Sequence, residues 1–301
     1  MRKRRLVLWI AGLLMAAIAV TLAAAVVLTE SALHPLIKRR ASDSAALAFS
    51  IAQTANVSAT NVCIRADDGV VLDAWWFAQP QPNGRAVMVC HGVADSAFGG
   101  MGYALLFLRN GYSVLVPDAR GHGQSGGFVT YGLLEARDTV RWLDWMKAHG
   151  TAKAFGFGES LGGSVLLESL GQCASFRAVV AECPYSSFAA IADERVARHA
   201  PAFLAGFLVD QGLLYTRLRY GVNLADARPD LAVEHTKVPI LLIHGLADNK
   251  TSPVNSERIA RENPADIQLW LVPGAKHTGA YATARREFEH HVLGWFAQAL
   301  Q

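Results

Sequence analysis

Gly158-Glu159-Ser160-Leu161-Gly162 sets a serine between two glycines, after an apolar run and before apolar residues at helical spacing. A serine hydroxyl is a weak nucleophile at neutral pH. It attacks a carbonyl only when a base lies within hydrogen-bond reach and a third group orients that base. Glycine at 158 and 162 lets two backbones approach closely, which pushes Ser160 to the tip of a strand-to-helix turn. At a helix start, free backbone N–H groups, notably that of Leu161, point toward negative charge developing beside the serine. A glycine-rich turn without chemistry would be spelled the same way, so the partners must come from elsewhere in the chain.

Of ten histidines, His277 has the best placement for the base, in a loop after the last expected strand. His91 and His244 each end a strand and precede glycine, which favours a turn-stabilising role. His122 lies in a glycine-rich loop and reads as structural. His34, His149, His199, His235, His290 and His291 read as solvated or lid residues. The acid should end a strand between the serine and the base, and Asp248 does, five positions after Ile243. Asp226, Asp230 and Asp266 lack that placement. Each partner of the expected Ser160, Asp248, His277 set therefore needs a strand end to hold it.

Those strands are legible from residue 61. Asn61 to Ala66, the turn Asp67-Asp68-Gly69 and Val70 to Phe77 form a hairpin pattern. Short apolar runs at 86–90, 113–117, 178–181, 238–243 and 268–272 read as buried strands. Helical segments fall at 98–109, 132–148 and 253–262, and a final helix sets Phe288, Val292, Trp295, Phe296 and Ala299 on one face. This alternation implies an α/β fold, a mainly parallel twisted sheet covered by helices on both faces. Residues 184–236 break it with helix-like apolar segments, as a lid insertion would. There Phe203, Leu204, Phe207, Leu208, Leu213 and Leu214 could pack on the core or line an apolar pocket, in which case Phe207 would favour medium acyl chains.

Residues 6–28 are 23 consecutive uncharged positions, roughly 34 Å as a helix, enough to cross a bilayer. A cleaved signal peptide is the alternative, although its apolar region would be only about 7 to 15 residues. Arg2, Lys3, Arg4 and Arg5 abut the helix while Lys38, Arg39 and Arg40 lie beyond it. That bias gives a single-pass anchor with a cytoplasmic N-terminus and an extracytoplasmic domain. The expected organisation is an anchor at 1–29, a juxtamembrane linker at 30–58 with one short helix, and a domain at 59–301. Net charge is +3 for the 301 residues, but residues 41–301 hold 21 basic and 24 acidic side chains, so the basic character belongs to the N-terminus and nothing points to nucleic acid. Cys63, Cys90, Cys173 and Cys183 show no zinc spacing, so no metal or cofactor is expected, and no disulfide pairing follows.

The chain order Ser160, Asp248, His277 resembles that of the α/β-hydrolase superfamily. So do His91-Gly92, Asp118-x-Arg120-Gly-x-Gly, His244-Gly-x-x-Asp248 and Gly274-x-x-His277, over about residues 60–301. With the N-terminal anchor, the chain is most similar to membrane-anchored serine hydrolases related to serine aminopeptidases and monoglyceride lipases. The resemblance implies an oxyanion hole from the backbone N–H groups of Val93 and Leu161. It also implies hydrolysis of an apolar acyl ester or thioester, or alternatively of a small peptide or amide. One departure is Val93-Ala-Asp-Ser96, where relatives carry an Asn- or Gly-rich loop. A non-catalytic binding protein on this fold is a further possibility, against which the intact serine, acid and base argue.

Overall fold

In the computed structural model, which describes residues 2–37, 41–172 and 175–301, one eight-stranded sheet organises the chain. Two N-terminal helices, α1 (Arg2–Leu33) and α2 (Ala41–Ala55), precede β1 (Ser58–Arg65) and β2 (Val71–Ala78). Then come β3 (Arg85–Cys90), α3 (Ala97–Leu108), β4 (Ser113–Pro117), α4 (Glu135–Ala148), β5 (Lys153–Glu159), α5 (Leu161–Leu170) and β6 (Val179–Glu182). Helices α6 (Phe188–Val196), α7 (Ala202–Tyr220) and α8 (Pro229–Ala232) are inserted before β7 (Ile240–Gly245). The chain closes with α9 (Val254–Glu262), β8 (Ile267–Val272), α10 (Ala280–Thr283) and α11 (Arg285–Gln298).

The strand order is β1-β2-β4-β3-β5-β6-β7-β8, and only β2 runs against the rest. Strand side chains alternate between faces, so one sheet buries two cores. Val87, Val89, Val114, Phe155, Phe157 and Ile243 pack under α2, α3 and α11 through Ile51, Phe107 and Phe296. Met88, Leu115, Ala181 and Leu242 pack on the opposite face under α4, α5 and α9 through Trp142, Leu166 and Ile259. Since both faces are covered, the central strands read as unbroken apolar runs.

The segment expected as a linker differs. α1 continues to Leu33, which is fully buried, and α2 sends Ala48 and Ile51 into the core. An Ala- and Ser-rich stretch looks like a linker in one dimension, yet small residues are what let a helix sit close against α3. Lys38, Arg39, Arg40 and Cys173, used above, lie outside the described residues. Arg4–Leu33 is long and apolar enough to cross a membrane, with a mean hydropathy of 2.6 in its most apolar window. Among the described residues Cys63, Cys90 and Cys183 are free thiols.

Glycine tolerance separates the turn from the insertion. A Cβ on Gly158 would lie 2.5 Å from the Gly162 carbonyl carbon, whereas one on Gly206, inside α7, meets nothing within 4 Å. Gly206→Ala is expected to raise stability by about 0.5–1 kcal/mol by removing backbone freedom from the unfolded chain. Gly158→Ala should lower it by several times that. Equal urea midpoints for the two variants would contradict this packing.

Candidate active site

Strand ends on one edge of the sheet bring the chemistry together. Ser160 follows β5 with φ 52° and ψ −115°, outside the regions a β-carbon allows comfortably. The strain is tolerated because β5 and α5 are anchored in the core on either side, and it aims Oγ away from the sheet. Asp248 lies three residues past β7, and His277 follows β8. His277 Nδ1 is 2.7 Å from Asp248 Oδ2, and its Nε2 is 3.0 Å from Ser160 Oγ. A carboxylate only accepts, so Nδ1 carries the proton and Nε2 is left to receive the serine's.

Asp248 is held from several sides. Its Oδ1 accepts from the N–H groups of Lys250 at 2.8 Å and Thr251 at 3.0 Å, and His244 Nε2 stands 3.3 Å from Oδ2. Burial alone would raise its pKa. The hydrogen bonds from His244, His277 and Thr251 outweigh that and keep it well below the ordinary carboxylate range. His244 is itself fixed, with Nε2 donating to the Thr251 carbonyl at 3.0 Å and Nδ1 2.7 Å from Ser256 Oγ. Sequence reasoning placed His244 in a turn; the structure also sets it against the Asp248 carboxylate.

Val93 and Leu161 flank the serine. Neither spends its backbone N–H on a carbonyl in a loop or cap among the described residues. The Val93 loop is stitched by two buried histidines that work reciprocally. His122 Nε2 accepts from Ala94 N–H at 3.1 Å, and His91 Nε2 accepts from Ala119 N–H at 3.0 Å. Each donates its Nδ1–H to a nearby carbonyl, of Arg120 for His122 and of Gly92 for His91. Both must therefore be neutral. Burial lowers His91, and it brings His122 down to about 4, helped by the adjacent His91.

Behind the serine lies a group that sequence reasoning missed. Tyr103 Oη donates at 3.1 Å to Glu159 and lies 3.4 Å from Glu182, while Glu182 Oε1 accepts from Ala280 N–H at 2.9 Å. Burial pushes both carboxyls up to about 7. Glu159 also accepts from the Gly92 N–H, so the pair ties the Val93 loop and the His277 loop to the elbow. A glutamate closing the apolar run Val179-Val-Ala-Glu182 was the available signal. Cys183, fully buried at φ 50°, puts a ligand atom within 4.8 Å of those of Asp248 and His277. This is the one such potential metal-ligand group among the described residues, and burial raises its thiol. Asp248 and His277 already spend those atoms on each other.

The apolar run of the insertion divides. Leu208 turns inward, while Phe203, Phe207 and Leu214 are exposed. The apolar cluster at the elbow, built on Val129, Tyr131, Leu161, Val165, Tyr185 and Ile191, recruits Phe188 from α6 and not Phe207. Packing on the core and lining a pocket were both open for this run because the helical phase of α7 is not fixed by the sequence; its buried face is the one carrying Ala205, Leu208 and Val209.

The sequence model of the prolyl oligopeptidase family matches residues 101–301. The uncharacterized protein YqkD of Bacillus subtilis is 27% identical over 225 residues, 72% of each chain. Pyrococcus furiosus esterase Pf2001 superposes with a TM-score of 0.68 at 21% identity, covering 82% of this chain and 93% of its own. A puromycin-hydrolyzing peptidase of Mycobacterium tuberculosis gives 0.64 at 19%, covering 82% of this chain and 40% of its own.

The stitched loop carries a pH signature. A histidine whose folded pKa lies below its unfolded 6.5 contributes stability that is complete above that value and lost as pH falls toward 4. For His122 the shift corresponds to about 3 kcal/mol. The stability advantage of the wild type over His122→Gln, measured by urea unfolding, should shrink by about that amount between pH 7 and pH 4. An advantage that stays constant with pH would contradict the neutral histidine.

Proposed function

Because the chain belongs to the prolyl oligopeptidase family of α/β-hydrolase serine hydrolases, we propose that Ser160, His277 and Asp248 are its catalytic triad and that it cleaves carboxylic esters or thioesters. The unbroken hydrogen-bond chain from Asp248 through His277 to Ser160 carries this reading. As Ser160 Oγ attacks the acyl carbonyl, its proton passes to His277 Nε2, and Asp248 holds the imidazolium that forms. The carbonyl oxygen becomes an oxyanion facing the N–H groups of Val93 and Leu161; losing one such donor costs roughly 10²–10³ in rate. Collapse expels the alcohol or thiol, which takes the proton from His277. Water then repeats the sequence on the acyl-enzyme and releases the acid.

An apolar acyl group fits the surface beside the serine, where Val93 and Phe188 are half-exposed members of the elbow cluster. The family and the peptidase among the structural relatives support a second reading, hydrolysis of small peptides or amides by the same residues. Parallel rates on p-nitrophenyl esters and aminoacyl p-nitroanilides separate the two. We further propose that α1 anchors the protein in a bilayer as a single pass. Its exposed, apolar length and Arg2 to Arg5 at its start support a cytoplasmic N-terminus and an extracytoplasmic domain.

Ser160→Ala should abolish ester hydrolysis while leaving the melting temperature within a few degrees, and Asp248→Asn should lower kcat by about 10⁴ through the wrong imidazole tautomer. Near-wild-type activity in either variant would sink the assignment.

A further inference from the structure

The last two turns of α1 are built into the hydrolase domain. Glu30 accepts from Tyr215 Oη at 2.6 Å and from Tyr220 Oη at 2.8 Å, both on α7, and a Cβ on Gly212 would come within 2.6 Å of Thr29 Oγ1. His34 Nε2 lies 3.3 Å from the same Tyr220 hydroxyl. On the other side, the Leu33 carbonyl accepts from Val129 N–H at 3.0 Å, and the Ala32 carbonyl accepts from Tyr131 Oη at 3.1 Å. Leu33 is fully buried. A helix end so tied on two sides is a fixed wall, unlike the free end of a tether.

That wall stands against the elbow. Val129 and Tyr131, which hold Leu33 and Ala32, belong to the same apolar cluster as Leu161, the residue after the nucleophile. Ala32, Val93 and Phe188 are its half-buried members, the ones that keep apolar surface exposed. Tyr131 links them, its ring centroid 4.5 Å from that of Phe188 and its hydroxyl on Ala32. An acyl chain bound to Ser160 and running over Leu161 and Val93 therefore meets apolar surface contributed by α1, α6 and the loop after β3. Of these, Ala32 has the smallest side chain, which leaves room that a larger residue would fill.

We propose that the C-terminal turn of α1 forms one wall of the acyl-binding surface and that Ala32 sets the length of acyl chain accommodated. The inference rests on the esterase reading above. Each methylene that loses its apolar contact costs up to about 0.8 kcal/mol, nearly fourfold in kcat/KM, so filling this space penalises long chains more than short ones. The Glu30 clamp matters for the same reason, since it holds the wall at its distance from α7.

The test uses the full chain in detergent and p-nitrophenyl esters from acetyl to decanoyl. Ala32→Leu should lower the decanoyl-to-acetyl ratio of kcat/KM at least tenfold, mainly through KM for the long ester, and Glu30→Ala should lower it by a smaller factor. To keep folding apart from fit, Ala32→Cys in a background with Cys63 and Cys173 replaced by serine is folded first and then carries a butyl group added by a methanethiosulfonate. The added group should lower the ratio as Ala32→Leu does. A wild-type chain-length profile in both Ala32 variants would overturn the proposal while leaving the hydrolase standing. Absence of ester hydrolysis at every chain length in the wild type would instead overturn the esterase reading.

Discussion

Ser160 must sit at a positive φ, and the strand-to-helix turn that forces it there constrains the rest of the molecule. A residue in that region costs of order 1–3 kcal/mol and persists only where its surroundings over-determine it. Here β5 lies in mid-sheet between β3 and β6, and α5 packs its apolar face on the sheet. Gly158 has no side chain because the two arms of the turn touch, and Gly162 has none because the start of α5 meets the backbone of Cys90 and His91 at the end of β3. The hydroxyl therefore has one direction available, and its partners arrive from β7 and β8, the strands beyond β6. The parallel sheet delivers all three side chains to one edge, as strands running the same way end together.

Buried polar groups then hold that edge. His91 and His122 cross-link the loops after β3 and β4, and Glu159, Glu182 and Tyr103 link the loops carrying Val93 and His277. Arg120 adds a bidentate pair with Asp138, at 2.7 and 2.8 Å, that fixes the loop holding His122 to α4. Buried groups of this kind cost free energy unless paired, and here nearly every one has a partner. Their value lies in geometry: each removes a way for the loop at Val93 or the His277 imidazole to drift.

Ser160, Asp248 and His277, which the fold brings within hydrogen-bond reach of one another, could be picked out because each follows a short apolar run, in a turn or loop that local sequence marks. The departure after Gly92 was legible too, but its resolution was not. Ala94, the residue after Val93, is held by His122, twenty-eight residues away in sequence, and only the fold brings them together. Glu182 and His244 could be suspected as polar residues closing apolar strands, without a sign of what they face. The helical phase of α7 and the docking of α1 were out of reach for the same reason. The partners of Glu30, Tyr215 and Tyr220, lie some 190 residues downstream, so residues 30–37 read as the start of a linker. Periodicity says that a helix has a buried face; it does not say which other helix covers it.

The central claim is that Ser160, and no other serine, is made nucleophilic by His277. The most direct measurement is reaction of the full chain with a fluorophosphonate followed by peptide mass mapping, for the wild type and His277→Gln. The account predicts a single phosphonyl adduct on Ser160 in the wild type and at least a thousandfold slower labelling in His277→Gln. An adduct on a different serine, or equal labelling rates in the two proteins, would contradict it.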